Sequence, residues 1–321
     1  MNILIPNIGR KSYLVDFIKK TDFGGKVYVS DCDVTAAALY SDCDEFFILP
    51  KPVNDEKKYI DELLNLCWKK DINIIIPVID PEVDILSRYR EVFSQHGIMV
   101  PVSSPKVLEI CFNKIKMNEF LESKLFSVIK TFTAINAFRS AHEQGQISFP
   151  VFIKPVLGSG SIDSTVVHSI EHLMVLFREG MIIQEYLVGE EYGVDIFNDE
   201  FLQPVRIVIK RKLSMRSGET DKAITVIDAG ILKEMKRLAQ ELGHFGPLDC
   251  DLLKTKDKIF ILDLNPRLGG GYPATHMAGV NFVDLMIKLF KRQSIPEQFD
   301  NYVINQLTMK DIGIRTVHQS E

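Results

Sequence analysis

This sequence predicts an α/β fold: a doubly wound parallel sheet in its first hundred residues, followed by an α+β region. Three observations predict it. Up to about residue 100, short apolar strands alternate with amphipathic helices, the order that a parallel sheet with right-handed crossovers needs. From about Ser103 strands dominate, and many of them read as antiparallel. The length of 321 residues amounts to about two domains at roughly 150 residues each.

Residues 2–6 form the first strand, and residues 10–20 the first helix, with Leu14, Phe17 and Ile18 on one face. Residues 26–30 are the second strand. Residues 56–70 place Ile60, Leu63, Leu64 and Cys67 at helical spacing. Residues 73–78 are almost wholly apolar and β-branched, as suits a parallel strand buried on both faces. A helix at 81–96 and a strand at 98–100 complete this half, and 106–123 reads as one helix. Val151–Pro155 and residues 165–168, 181–186, 190–197 and 201–209 are strands, the last two joined by a tight turn at Asn198-Asp199. Helices at 170–178 and Ala229–Leu242 interrupt the strands. Residues 248–253 and 258–264 form a hairpin around Lys256-Asp257, and 282–291 is the last helix. Trp68, in an amphipathic helix, reads as core.

Composition removes several function classes. The chain is 46% apolar and 25% charged, with 38 Lys and Arg against 43 Asp and Glu, a net charge of −5. It has no basic block, so an electrostatic grip on nucleic acid or an anionic membrane is not expected. The longest uncharged apolar run, residues 72–79, is far short of the roughly 20 residues that span a bilayer. The N-terminus is apolar at once and its charges, Arg10 and Lys11, come afterwards, the reverse of a secretory signal. The five cysteines are scattered and never spaced C-x-x-C, which fits reduced thiols in a cytoplasm rather than a disulfide scaffold or thiolate zinc site.

Ligands of doubly wound sheets sit beyond the carboxyl ends of strands. Those ends carry Asn7-Ile8-Gly9-Arg10, Asp31-Cys32-Asp33 and Asp80-Pro81-Glu82, which serve equally well as helix caps. Arg10, Asp80 and Glu82 are candidates to hold a charged substrate such as an amino acid. In the second half, Lys154 closes an apolar strand, where burial asks for an anionic partner. Gly158-Ser159-Gly160-Ser161 follows; its small residues either let amides converge on a phosphate or simply connect two strands. Gln184-Glu185-Tyr186-Leu187 offers strand-edge backbone groups to an adenine, and nearby Glu191 a carboxylate to ribose hydroxyls. Asp251 and, twelve residues on, Asp263-Leu264-Asn265 bring hard oxygen ligands onto adjacent strands, suited to Mg²⁺. The basic run 206–212, with Arg216 and Lys222, reads as a phosphate or substrate contact, or in part as solvated surface, since Arg206, Val208 and Lys210 share one face.

In this order the features resemble the ATP-grasp superfamily, especially the synthetase domains of the carbamoyl-phosphate synthase large chain. The resemblance covers about residues 1–290 and is strongest from Lys114 to Arg267. It implies a Rossmann-like pre-ATP-grasp domain at 1–105, a two-lobed ATP-grasp domain at 106–300 with a lid subdomain at about 125–186, and a polar tail at 301–321. ATP and Mg²⁺ (or Mn²⁺) are the implied cofactors. The resemblance assigns Lys114, Lys154 and Lys222 to the phosphates, and Gly158, Ser159, Gly160 and Ser161 to a lid over them. Gln184, Glu185, Tyr186 and Leu187 receive adenine, and Glu191 the ribose. Asp251, Asp263 and Asn265 hold metal, and Arg267 joins Lys154 as a catalytic group by steadying an acyl phosphate. Asn113 stands where the family has Asp, and Asp263 where it usually has Glu.

The implied activity is ADP-forming ligation: a carboxylate attacks the γ-phosphate, and an amine or other nucleophile takes the acyl group. Partners would be small carboxylates and amines, and relatives are often homodimers. Alternatives are an ATP-grasp kinase and a non-catalytic ATP-binding regulatory protein. A Rossmann dehydrogenase is disfavoured, because no G-x-G-x-x-G follows the first strand.

Overall fold

The computed structural model describes residues 1–158 and 163–317. Its first part runs β1 (Asn2–Ile5), α1 (Ser12–Lys19), β2 (Val27–Asp31), a short 3-10 helix (Ala37–Tyr40), β3 (Glu45–Ile48), α2 (Glu56–Lys69), β4 (Ile72–Ile75) and α3 (Asp80–Gln95). The strands lie in the order β3-β2-β1-β4 and every pair is parallel. Both faces of the sheet are covered, as the apolar strands required. Ile3 and Ile5 pack with Leu14 and Phe17 on one side, and Leu4 with Leu63, Val83 and Phe93 on the other. β3 was not anticipated, because this edge strand leaves Phe46 and Ile48 exposed and carries no buried apolar run. The expected strand at 98–100 is reduced to one parallel bridge, Ile74 to Met99. Trp68 is not core; it is 55% exposed and stacks on His96.

The helix expected at 106–123 is broken at Asn113 into α4 (Pro105–Phe112) and α5 (Lys114–Ser123). Asn113 is extended, and its side-chain oxygen accepts from the N–H groups of Ile115 and Lys116, an N-cap that Asp would make equally well. The Lys114 N–H donates to Val156 O at 3.0 Å, which anchors the start of α5 to the next lobe.

That lobe contains β5 (Thr131–Phe132), α6 (Ile135–Glu143), β6 (Val151–Pro155), β7 (Thr165–Val167), α7 (Ile170–Leu176) and β8 (Met181–Glu185). Its sheet is antiparallel, in the order β5-β8-β6-β7, with α6 and α7 contributing Phe138 and Leu173 to its core. The remainder runs β9 (Glu190–Asn198), β10 (Pro204–Arg216), β11 (Glu219–Val226), α8 (Ala229–Leu242), β12 (Gly246–Lys254), β13 (Ile259–Asn265), α9 (Tyr272–Met277), α10 (Phe282–Phe290) and β14 (Leu307–Met309). Six of these strands make an antiparallel sheet, β13-β12-β9-β10-β11-β14. Val194, Ile196, Ile207, Ile209, Leu248 and Cys250 face α8 and bury Met235 and Leu238. Strand alternation sends the polar residues between them to the opposite face.

Two features of the C-terminal part bear on the site. First, α10 packs into the core of the opening domain: Phe282, Val283 and Met286 are buried with Ile3, Leu14 and Phe17. Each such side chain contributes about 1.5–3 kcal/mol, and Leu268, next to Arg267, is buried in the same cluster. Second, the stretch read as a polar tail is not simply a tail, since Leu307–Met309 pairs with β11. Among the described residues no helix is long and apolar enough to cross a membrane.

Candidate active site

The polar face of the six-stranded sheet is the floor of the site. Cross-strand pairing sets Asn265 beside Asp249 and Asp249 beside Asp195 in one row. The next row is Asp263, Asp251, Gly193 and Lys210. The four-stranded sheet faces this floor. On β6, Phe152 and Lys154 share a side, and Phe152 pairs with Gln184 on β8. Between the two sheets lies a cavity of about 860 Å³. Its walls combine an apolar set, Ile129, Phe152, Met215, Leu253 and Leu262, with a charged set, Lys114, Lys154, Lys212, Asp251 and Asp263.

The charged set is tightly interlocked. Lys212 Nζ lies 2.5 Å from Asp251 Oδ1, and Lys114 Nζ lies 3.6 Å from Asp263 Oδ1 and donates to Gly158 O at 2.6 Å. Lys154 Nζ donates to Leu262 O at 3.2 Å. Burial pushes the Asp263 carboxyl up, Asp251 and Asp80 add to this, and Lys114 and Lys154 only partly offset it. Asp249 is pushed up to about 8 by burial and then by Asp251 and Asp195. Burial pulls Lys212 down, but the Asp251 carboxylate outweighs it and holds the ammonium charged.

This donor set fits a hard divalent cation. Asp251 and Asp263 are direct cross-strand neighbours, and their mutual repulsion is what such an ion would relieve. Among the described residues no group of three or more His, Cys, Asp and Glu forms a metal centre. Two carboxylates and the Asn265 amide match Mg²⁺, which keeps waters and phosphate oxygens as its other ligands.

Most residues read from the sequence come together here. The cavity gathers Lys114, Lys154, Gly158, Gln184, Glu185, Tyr186, Leu187, Glu191, Asp251 and Asp263. Ser159, Gly160 and Ser161 lie outside the described residues. Asn265 and Arg267 adjoin it: Arg267 Nη2 donates to Asn265 Oδ1 at 3.3 Å, and Arg267 Nε lies 2.5 Å from Asp80 Oδ1. Lys222 does not join them. It is exposed on β11 opposite Ser214 and Met309, beside two register shifts in the pairing with β10, so the position that the resemblance assigned to the phosphates lies outside the cavity. Lys212, part of the basic run but not singled out, lines the cavity instead.

Three further expectations are corrected. Lys210 is not solvated surface; it is buried against Asp195, which also accepts from Thr275. Glu82 faces no substrate, being buried and bonded to Asn7 Nδ2 at 2.6 Å and to the Tyr59 hydroxyl. Asp80 is engaged by Arg267.

Lys154 gives the site a pH dependence. Burial lowers its ammonium to about 8, so the free site carries this charge below pH 8 and loses it above. A bound polyphosphate favours the charged form, so nucleotide affinity is expected to be flat below pH 7.5. Above pH 8 it should fall by about tenfold per unit, as one linked proton requires. Calorimetric titration with Mg-ATP from pH 6.5 to 9.5 measures this, and Lys154→Arg should flatten the limb.

Comparison with known proteins agrees with this geometry. Residues 3–101 match a family model described as the PylC-like N-terminal domain, and residues 177–311 match one described as ATP-grasp in the biosynthetic pathway with Ter operon. By these two matches the chain is similar to the ATP-grasp superfamily. It is 26% identical over 181 residues to the arginine-specific carbamoyl phosphate synthase large chain of Geobacillus stearothermophilus, covering 52% of this chain and 17% of that one. It is 25% identical over 189 residues to a D-alanine–D-alanine ligase of Pediococcus pentosaceus, covering 51% and 54%. The chain thus spans about half the length of that ligase and under a fifth of the synthase. Among solved structures, the biotin carboxylase of Campylobacter jejuni in complex with β-γ-ATP superposes with a TM-score of 0.73 at 19% identity, covering 95% of this chain and 74% of that one.

Proposed function

We propose that the protein is an ATP-dependent ligase that activates a carboxylate as an acyl phosphate and passes it to an amine or other nucleophile. One observation carries the reading: three lysines and the cross-strand pair Asp251 and Asp263 converge on one cavity that also has an apolar wall of Ile129, Phe152, Met215, Leu253 and Leu262. Phosphoryl transfer asks a protein for charge neutralisation and alignment rather than covalent chemistry. The apolar wall with Gln184, Glu185, Tyr186 and Leu187 suits a nucleobase, and Glu191 suits ribose hydroxyls. Lys114, Lys154 and Lys212 would offset the charge of the phosphates. A divalent cation held by Asp251, Asp263 and Asn265 would supply further charge neutralisation at the phosphate oxygens. Arg267, paired with Asp80, would hold the transferred phosphoryl oxygens as the acyl phosphate forms.

ADP release is the test, measured with Mg-ATP against carboxylates paired with amines, with Asp263→Ala as the blank. Turnover that needs both an acid and an amine, and vanishes in the blank, is the expected result. ADP release with a phosphorylated product and no amine requirement would replace the ligase with a kinase. Failure to bind Mg-ATP overturns the reading entirely.

A further inference from the structure

Beside the nucleotide cavity, three segments remote in sequence bring four charged side chains together. The β10–β11 hairpin supplies Gly218 to the cavity wall, and the next residue, Glu219, opens β11 outside that lining. Lys310 Nζ, just past β14, lies 2.9 Å from Glu219 Oε2, and Lys11 Nζ, just ahead of α1, lies 4.0 Å from Glu219 Oε1. Arg10 is exposed next to Lys11 and acts electrostatically on both Lys11 and Glu219. Three cations therefore surround one carboxylate. Burial lowers Lys11, Glu219 resists this, and Arg267, Lys310 and Arg10 lower it further, so the lysine is short of negative charge. The group is open to solution, with side-chain exposures of 18% for Lys11, 20% for Lys310 and 36% for Glu219.

The cluster abuts the reacting end of the site. A Cβ on Gly270 would come within 2.8 Å of Glu219 Cβ, so the glycine segment that follows Arg267 lies directly on Glu219. The partly buried Tyr13 hydroxyl is acted on by both charges, raised by Glu219 and lowered by Arg267. An uncompensated cationic mouth beside a site that joins two small molecules asks for an anion on one of them.

We propose that Arg10, Lys11 and Lys310, arranged around Glu219, receive an anionic group, carboxylate or phosphate, that a substrate carries apart from its reacting carboxyl or amine. This rests on the ligase reading for the word substrate, but the anion site is testable without turnover. The protein is saturated with Mg²⁺ and a non-hydrolysable ATP analogue, which fills the phosphate-binding lysines. It is then titrated with inorganic phosphate and, separately, with glutarate, against chloride at matched ionic strength, following the rise in Tm. One of the two anions should raise Tm saturably, and which one does so distinguishes phosphate from carboxylate. Its half-saturation should weaken by about tenfold or more in Lys11→Met/Lys310→Met, as loss of charge-assisted bonds requires. Analogue affinity should stay unchanged, which also reports that the variant folds. Responses no larger than chloride's, or identical in the variant, overturn the assignment. ADP release without any anion response would overturn it while leaving the ligase standing. An anion response without ADP release from any acid–amine pair retires the ligase and keeps the anion site.

Discussion

An Asp263→Ala variant is expected to lose Mg²⁺-dependent ADP release by about 10²- to 10³-fold, as removal of one preorganised electrostatic group typically does. Asp263 stands between Asp251 on the neighbouring strand and the ammonium of Lys114, so its loss removes a carboxylate proposed to hold the cation and frees a lysine paired with it. The variant should nevertheless fold. Because burial raises the Asp263 carboxyl, the folded state binds its proton more tightly than the unfolded chain. The stability this gives is fully present below the ordinary carboxylate range and is lost as pH rises through the folded value. At neutral pH an ionised Asp263 is therefore a cost, and Asp263→Asn should be at least as stable as the parent there, with no difference near pH 3. Activity that falls while the denaturation midpoint holds or rises marks a residue kept for function. A parallel fall of both would assign Asp263 a structural role.

Side chains on one regular strand were legible from the sequence, because alternation alone fixes which residues share a face. Lys154 with Phe152, and Asp263 with Asn265, follow from that rule, and the cavity contains Lys154, Phe152 and Asp263. The parallel opening sheet was legible for a similar reason, since strands buried on both faces need apolar runs. What escaped depends on partners far apart in the chain. Nothing local marks Arg267 for Asp80, Glu82 for Asn7 and Tyr59, or Glu219 for Lys11 and Lys310. Lys222 was assigned by resemblance alone, and beside the register shifts between β10 and β11 it lies outside the cavity. Lys212, at the edge of the first of those shifts, was not singled out. The basic run around it looks from its composition like solvated surface, yet the Lys212 side chain is only 6% exposed. The break at Asn113 was hidden because a good N-cap inside a helical pattern becomes a boundary only when the next lobe takes the freed N–H, as Val156 O does.

Arg267→Ala is expected to reduce turnover by about 10³-fold with Mg-ATP affinity retained, because the guanidinium adjoins the metal-ligand strand end rather than lining the nucleobase wall. Asp80 is the reason the guanidinium is aimed. Its two carboxylate oxygens meet Arg267 Nε at 2.5 Å and Nη2 at 3.3 Å, a fork that joins the opening domain to the end of β13. Asp80→Asn should therefore slow turnover by about 10- to 10²-fold through misplacement alone. Arg267→Lys should recover little, since an ammonium cannot reproduce the fork. The stability pattern differs from the activity pattern. With the side chains only 14% and 17% exposed, removing Arg267 alone takes the ion-pair partner from a largely buried carboxylate, a loss of about 3 kcal/mol. The double variant Asp80→Asn/Arg267→Ala leaves no unpaired charge and should regain much of that stability. Its turnover, however, should equal that of Arg267→Ala, because Asp80 acts only through the arginine. Full additivity in turnover would mean that Asp80 touches substrate in its own right, and that the fork is incidental to catalysis.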